Sequence, residues 1–431
     1  MAETPVLIIL AGGASSRMWP LREKSLMKFG EHPLLLTQLR RYAALGFREV
    51  VIVGNLENRT DIAGLVEGMT DLKVEIVVQP EPKGMGDAIL KAEPIFANRP
   101  NTAVYVNQIH DVVEDELHLD MLAAHESDTT ATYLAGYEME DYFPGGYLVV
   151  DDTGRISGVV EKPGADKRPS KLVTFVAHLH SNVSQLFEAI KAEYAKDIPS
   201  DDHYERAMDA LMKQQKYQVV RYSGQWKALK FPWHVLDIMN IFLEQLRGKG
   251  QQVAESAFIA PTASLVGDVY IGENAKIFPG AAVVGPSYIG ANVIVGNNAL
   301  VRNSMVLSHS NVGFTTEVAR SYVAEHVDMH ACRVLDSVFA SGVNFSAGCT
   351  TANLRIDHGT VGSRVKGNKI DTGRDKLGAI IGHGAFIAVD AMTMPGVKIG
   401  EGAQIGPGTH VLQDVADGKR LYVKQEIVVS D

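Results

Sequence analysis

The run Leu10-Ala-Gly-Gly-Ala-Ser-Ser-Arg-Met18, followed by Lys24, sets a glycine turn directly ahead of two cations. With no Cβ in the way, Gly12 and Gly13 let backbone N–H groups approach phosphate oxygens closely. Arg17 and Lys24 can then neutralise the negative charge of bound phosphate groups. A glycine turn alone could be a plain strand-to-helix connection, and the cations at these offsets favour the phosphate reading. Gln79-Pro-Glu-Pro-Lys-Gly-Met-Gly86 joins an amide that both donates and accepts to a turn at Gly84 that lacks side-chain bulk. Taken alone, Gln79 would also suit an ordinary polar loop. Asp111 comes soon after the apolar run Ala103 to Val106, and Glu161-Lys162 ends the run from Ile156. A solvated hairpin end is the plain alternative for the Glu-Lys pair.

Positioning such groups takes a sheet. Val6 to Leu10, Val50 to Val53, Val74 to Val78 and Ala103 to Val106 are short β-rich runs separated by amphipathic stretches. That alternation predicts a parallel sheet with helices, a Rossmann-like α/β domain spanning residues 1–248. Strand, glycine turn and helix in that order place Gly12 to Arg17 at the carboxyl end of the first strand, where open α/β sheets bind ligands. Tyr147 to Val150, Ile156 to Val160 and Leu172 to Leu179 form a second strand group, the expected substrate half. Helix-like Pro232 to Leu246 closes the domain, and Arg247 to Gln252 reads as a linker.

Beyond it the period becomes six: Val253, Ile259, Leu265, Ile271, Ile277, Val283, Ile289, Val295, Val301 and Leu307 follow without a slip. Neither a helix nor a hairpin has that period. A left-handed parallel β-helix of hexapeptide repeats does, because each triangular coil turns one aliphatic side chain inward per six-residue side. The pattern returns at Ile381, Ile387, Thr393, Ile399, Ile405 and Val411, after a less regular middle with a polar, glycine-rich excursion from Asp357 to Lys376. Residues 249–431 are therefore expected to be all-β.

The bulk numbers agree. At 431 residues the chain exceeds one ordinary core, which predicts two or more domains. It has no apolar run of bilayer length, and its start lacks the basic segment and cleavage site of a secretory signal, so a cytoplasmic location with no membrane role is expected. Cys332 and Cys349 are too few for a disulfide framework and are expected to be structural thiols. A net charge of -10 argues against a nucleic-acid partner and for a small ligand.

Most of residues 5 to 248 resemble the sugar-phosphate nucleotidylyltransferases, on the strength of the Leu10 to Met18 signature with Lys24, the Gln79 segment, Asp111 and the Val-Val-Glu-Lys-Pro163 run. The resemblance implies a nucleotide site at Ala11, Gly12, Gly13, Gln79 and Gly84, with Gln79 reading uracil or thymine. It further implies Mg2+ on Asp111, catalytic roles for Arg17 and Lys24, and sugar-phosphate binding at Gly146, Glu161, Lys162 and Thr174. Ser15 stands where many relatives have glycine. Thr174 and Val176 replace the family's asparagine and glycine, which alters sugar recognition. In Trp226-Lys-Ala-Leu-Lys-Phe-Pro-Trp233, Ala228 stands where relatives place a second metal ligand, and a methyl group cannot coordinate a metal. Asp237, the nearest carboxylate downstream, falls on a predicted helix and makes a poor substitute.

His330, Asn344 and Ser346 to Asp357 resemble the acetyltransferase domain of bifunctional N-acetylglucosamine-1-phosphate uridylyltransferases. By that resemblance His330 takes the proton from an amino sugar as it attacks acetyl-CoA, the co-substrate, with Arg302, Arg333, Asn344 and Asn353 binding substrate. The resemblance also implies packing as a homotrimer through the β-helix. The family's lysine falls at Ala319 and its tyrosine at Arg333, Arg320 lies beside the lost lysine, and Cys349 replaces a threonine. A weakened nucleotide-sugar-binding regulator, or a β-helix that serves only as a scaffold, stay open beside the enzyme.

Overall fold

The computed structural model describes residues 3–13, 15–22, 24–143, 145–196, 198 and 201–429. Ala14 of the signature and the first two residues lie outside this set. By contacts the chain forms two compact units, Met1–Ala14 with Leu34–Ala228, and Ser15–Pro33 with Leu229–Asp431.

The first unit is built on a nine-stranded sheet among the described residues. Val6–Leu10 lies at its centre, parallel to Glu49–Gly54 on one side and to Val104–Gln108 on the other. Lys73–Val78 extends the parallel part. Val6–Leu10 is buried along its whole length, as a strand covered on both faces must be. The expectation of a parallel sheet holds for these four strands and fails beyond them. Leu172–His180 runs antiparallel to Val104–Gln108, Thr132–Glu138 and Gly146–Val150. Thr132–Glu138 and Tyr217–Tyr222 are two further strands, parallel to each other, that the expected runs did not include. Helices Val183–Tyr194 and His203–Met212 pack together and close the core with Leu186, Ile190, Met208 and Leu211. A separate antiparallel pair joins Asp111–Val113 to Trp226–Ala228.

The second unit is the left-handed β-helix, with three parallel stacks of very short strands whose inward residues form one continuous core. The inward positions match the six-residue reading through Val301 and then depart from it. Ile289 pairs with Val306, so Val306, not Leu307, takes the inward place. The cause is coil length: 18 residues separate Ile271 from Ile289, 17 separate Ile289 from Val306, and 16 separate Val323 from Phe339. Corners turned on Asn303, Arg320 and Asp336, all at positive φ, use fewer residues, so the sequence period fades while the prism continues. The excursion is real. Phe339 pairs with Ile381 across a 42-residue separation, and the extra length carries a hairpin, Gly362–Val365 with Asn368–Asp371. Val253, the first position of the pattern, is exposed at the open end. Gln251 and Gln252, read as linker, already pair with Val269 and Tyr270. Helix Val235–Glu244 belongs to this unit, where Asp237 binds Arg374 at 2.5 Å.

Segment Ser15–Pro33 also packs within the second unit. Trp19 Nε1 donates to Asp417 Oδ1 at 2.9 Å, Arg22 pairs with Glu401, and Lys28 Nζ meets Glu325 at 2.8 Å. Tyr322 Oη donates to the Lys28 carbonyl at 2.7 Å, and Phe29 stacks on Phe242.

Candidate active site

The glycine turn is shaped from below. A Cβ on Gly12 would come within 2.8 Å of the Gly54 carbonyl, so no other residue fits without moving the neighbouring strand. Ala11 is buried, and its carbonyl accepts from Asn58 Nδ2 at 2.9 Å, while Asn58 Oδ1 accepts from the Asn55 amide at 2.8 Å. Gly13 is exposed, and a Cβ there would meet nothing within 4 Å. Arg17 is exposed, and Lys24 opens a 3-10 turn, Lys24–Leu26; both belong to the second unit.

Gln79 is 5% exposed, and its amide nitrogen is committed, donating to the Gly84 carbonyl at 3.0 Å and to Asp87 Oδ2 at 2.9 Å. Two acceptors fix which end is nitrogen. The amide oxygen accepts no hydrogen bond among the described residues. Gly84 sits at φ +92° ahead of helix Met85–Leu90, a conformation that excludes most side chains.

Three of the residues expected at the sugar phosphate meet on adjacent strands. Gly146 pairs with Glu161 on one side and Thr174 on the other. A Cβ on Gly146 would approach Glu161 Oε2 to 3.2 Å and Thr174 Cγ2 to 3.3 Å, so glycine keeps the space between them open. Lys162, at φ +45°, places Nζ 3.0 Å from Glu161 Oε1, and that hydrogen bond raises its pKa.

Beneath Thr174 runs a buried chain of polar groups. Thr174 Oγ1 donates to the Ala135 carbonyl at 2.9 Å and lies 3.1 Å from His178 Nε2. His178 Nδ1 is 2.9 Å from Tyr204 Oη, which is 2.8 Å from His180 Nε2. One proton assignment satisfies every link. Thr174 accepts from His178 Nε2–H, Tyr204 donates to His178 Nδ1, and Tyr204 accepts from His180 Nε2–H. Burial holds both histidines neutral, lowering each to about 3. The next residue on that helix, Glu205, has a buried Oε2 without a hydrogen-bond partner among the described residues. Desolvation first, then the Glu161 and Asp202 charges, raise its carboxyl to about 7.

Asp111 is 5% exposed and accepts from Trp226 Nε1 at 3.2 Å. Its direct cross-strand partner is Ala228. Among the described residues no group of three or more His, Cys, Asp or Glu could hold a metal ion. Magnesium often binds through one or two carboxylates with phosphate and water completing its shell. Asp111 supplies one carboxylate, so the site fits a magnesium ion that arrives with a polyphosphate.

In the β-helix, His330 is exposed at the corner after Asp328–Met329, and Asn344 is the coil partner of Asp328, near the same edge. Asn353 lies past Thr350–Thr351, at the next corner, where its amide donates to Asp336 Oδ2 at 2.5 Å. One chain therefore does not bring His330 and Asn353 together. Arg302 pairs with Glu317 at 3.0 Å, and Arg320 grips Asp336 through two 2.7 Å bonds, so both cations are already engaged. Arg333 is exposed between Glu317 and Thr350. Both cysteines are buried, which pushes the Cys332 thiol up to about 12 and Cys349 up to about 11.

Sequence reasoning did not identify Asn58, Asp87, His178, Tyr204 or Glu205. Asp87 alone had a local signal, lying three residues beyond Gly84 on the same turn-to-helix segment; the others act across strands or helices far apart in sequence.

The nucleotidyl transferase family profile matches residues 6–228, and a profile described as the GMPPB C-terminal domain matches 265–370. A bifunctional sugar-1-phosphate nucleotidylyltransferase/acetyltransferase of Sulfurisphaera tokodaii is 29% identical over 96% of this chain and 99% of its own length. The bifunctional protein GlmU of Methanococcus vannielii is 26% identical over 98% of each chain. A putative uncharacterized acetyltransferase of Escherichia coli, YaiX, is 33% identical over 44% of this chain and 83% of its own length. With its first unit's strands and turns inside the matched span, the chain belongs to the nucleotidyl transferase family.

Proposed function

We propose that the protein joins a sugar 1-phosphate to a nucleoside triphosphate, UTP or dTTP, releasing pyrophosphate. The observation that carries this reading is the meeting of Gly146, Glu161 and Thr174 on three adjacent strands, with Lys162 beside them. The sugar-phosphate oxygen attacks the α-phosphorus, the bond to the β-phosphate oxygen breaks, and pyrophosphate leaves. Such a reaction depends on alignment and charge neutralisation more than on a strong base. Lys162 meets the sugar phosphate, and Arg17 and Lys24 meet the triphosphate. The acceptor oxygen of Gln79 suits the ring N–H of uracil or thymine. Asp111 would hold Mg2+, which would supply charge neutralisation at the phosphates. Purified protein given magnesium, a panel of triphosphates and a panel of sugar 1-phosphates should release pyrophosphate. Tight nucleotide-sugar binding with no release across the panel would establish the second reading, a regulatory binding protein, which the Asp111–Ala228 pairing favours.

For the β-helix the proposal is N-acetylation of an amino-sugar phosphate by acetyl-CoA, in a cytoplasmic homotrimer. Its support is that His330 with Asn344, and Asn353, occupy different corners of one chain, which packing around a three-fold axis can bring face to face between copies. Thiol release from acetyl-CoA with glucosamine 1-phosphate should disappear in His330→Ala, and sedimentation should give three times the chain mass.

A further inference from the structure

The β-helix does not need the Gly362–Asp371 hairpin to close its coils, since Phe339 continues directly onto Ile381. The hairpin instead forms one wall of a cavity of about 290 Å3 within the second unit. Arg364 and Lys366 come from the hairpin, Arg17 and Trp19 from the signature segment, and Lys398 and Asp414 from the last coils. Four cations thus face one carboxylate in a chain whose net charge is -10. Among the described residues, no carboxylate forms an ion pair with Arg17, Arg364 or Lys366. Lys398 is 3% exposed; its Nζ lies 4.7 Å above the Trp19 ring, donates to the Arg364 carbonyl, and is 3.7 Å from Asp414. The buried lysine ties the hairpin backbone to the signature segment, so the wall is built and not a loose loop.

Like charges gathered around a cavity repel one another unless an anion lies between them. Guanidinium groups suit phosphate oxygens, which they can bind through two parallel bonds. The volume is at the small end of ligand pockets and is large enough for a diphosphate. We propose that this cavity binds a diphosphate group, with Arg364 and Lys366 of the β-helix hairpin completing a phosphate site begun by Arg17 of the signature. Identifying that group with the triphosphate or pyrophosphate of the reaction rests on the proposed activity; the anion site itself does not.

The test is calorimetric titration of the full-length protein with inorganic pyrophosphate, comparing wild type with the double variant Arg364→Ala/Lys366→Ala. Both side chains are exposed on a hairpin outside the core, and an unchanged thermal midpoint will show that the variant folds. Pyrophosphate binding is expected to weaken at least tenfold, and Lys366→Glu to weaken it further. Competition with UTP assigns the diphosphate to the reaction's own nucleotide, whereas persistence under saturating UTP assigns it to a separate phosphorylated effector. Equal pyrophosphate affinity in wild type and double variant overturns the proposal, even in an active enzyme. A tenfold loss in a protein that turns over no triphosphate keeps this site and sinks the proposed activity instead.

Discussion

Asp111 and Ala228 are direct partners across the antiparallel pair Asp111–Val113 and Trp226–Ala228. The second strand therefore delivers a methyl group to the place beside the one buried carboxylate read as a metal ligand. Trp226, two residues earlier, binds Asp111 through its indole N–H. A side-chain oxygen at 228 would lie within reach of an ion held by Asp111. Ala228→Asp should thus lower the magnesium concentration needed for half-maximal pyrophosphate release several-fold. Asp111→Ala, which removes the carboxylate, should cut kcat/KM by about 100-fold, the scale seen when one electrostatic contact to a developing charge is lost. A magnesium titration of each variant checks both, and an unchanged magnesium dependence in Ala228→Asp would refute the assignment.

Gln79 gives its amide hydrogens to Gly84 and Asp87, which leaves its oxygen as the end that the proposed reading turns to a base. A base with a ring N–H on its pairing edge should therefore be preferred over one without. kcat/KM for UTP is expected to exceed that for CTP at least tenfold, and Gln79→Ala should remove most of the difference. Gln79→Glu would set a second carboxylate against Asp87, so it should lose activity toward every triphosphate. Steady-state kinetics with the two pyrimidine nucleotides decides the point.

The buried chain Thr174, His178, Tyr204, His180 needs an unprotonated His178 Nδ1 to accept from Tyr204, and burial disfavours the charged form of both histidines. Their pKa values, lowered to about 3 by burial, lie below the usual 6.5, so the folded state binds fewer protons than the unfolded one. Their contribution to stability is complete above about 6.5 and is lost as pH falls from there toward 3. Urea midpoints should drop steadily over that window. Tyr204→Phe leaves His178 Nδ1 and His180 Nε2 without partners and should cost roughly 1–3 kcal/mol for each orphaned group. A KM for sugar 1-phosphate that rises while kcat holds would show that the chain also positions Thr174.

Much of this is legible in the sequence, and what is not has a physical reason. Val6 to Leu10 and Ile271 to Val301 are regular because every residue obeys one local rule, strand burial or the six-residue coil. Leu307 breaks the expected pattern because shortened corners change the count without changing the fold. The antiparallel half of the sheet, with Thr132–Glu138 and Tyr217–Tyr222, escapes a reading of composition because pairing direction is set by distant partners. At the proposed sugar site Glu161 and Lys162 are visible as a charged strand end. Nothing local marks His178 or Tyr204, whose residue types are those of an ordinary core.

Glu205 gives the prediction with the clearest sign. Its carboxyl is mostly buried on helix His203–Met212, with the Glu161–Lys162 pair among its charged neighbours, and its folded pKa is raised from 4.5 to about 7. Desolvation is the main cause; Glu161 and Asp202 add to it and Lys162 opposes it. A raised carboxylate pKa means that the folded state holds its proton more tightly, so this contribution is fully present below about 4.5 and is lost as pH rises through about 7. Glu205→Gln keeps the shape and removes the ionisation. The variant should be more stable than wild type at pH 8 by roughly 3 kcal/mol, because each tenfold change in proton affinity is worth about 1.4 kcal/mol. Near pH 4, where the carboxyl is protonated in both states, the two proteins should unfold at the same urea concentration. Urea titrations at the two pH values measure the difference directly. A gap that stays constant between them would mean that Glu205 does not change its charge on folding, and that the buried Oε2 is costly for its missing hydrogen bond alone.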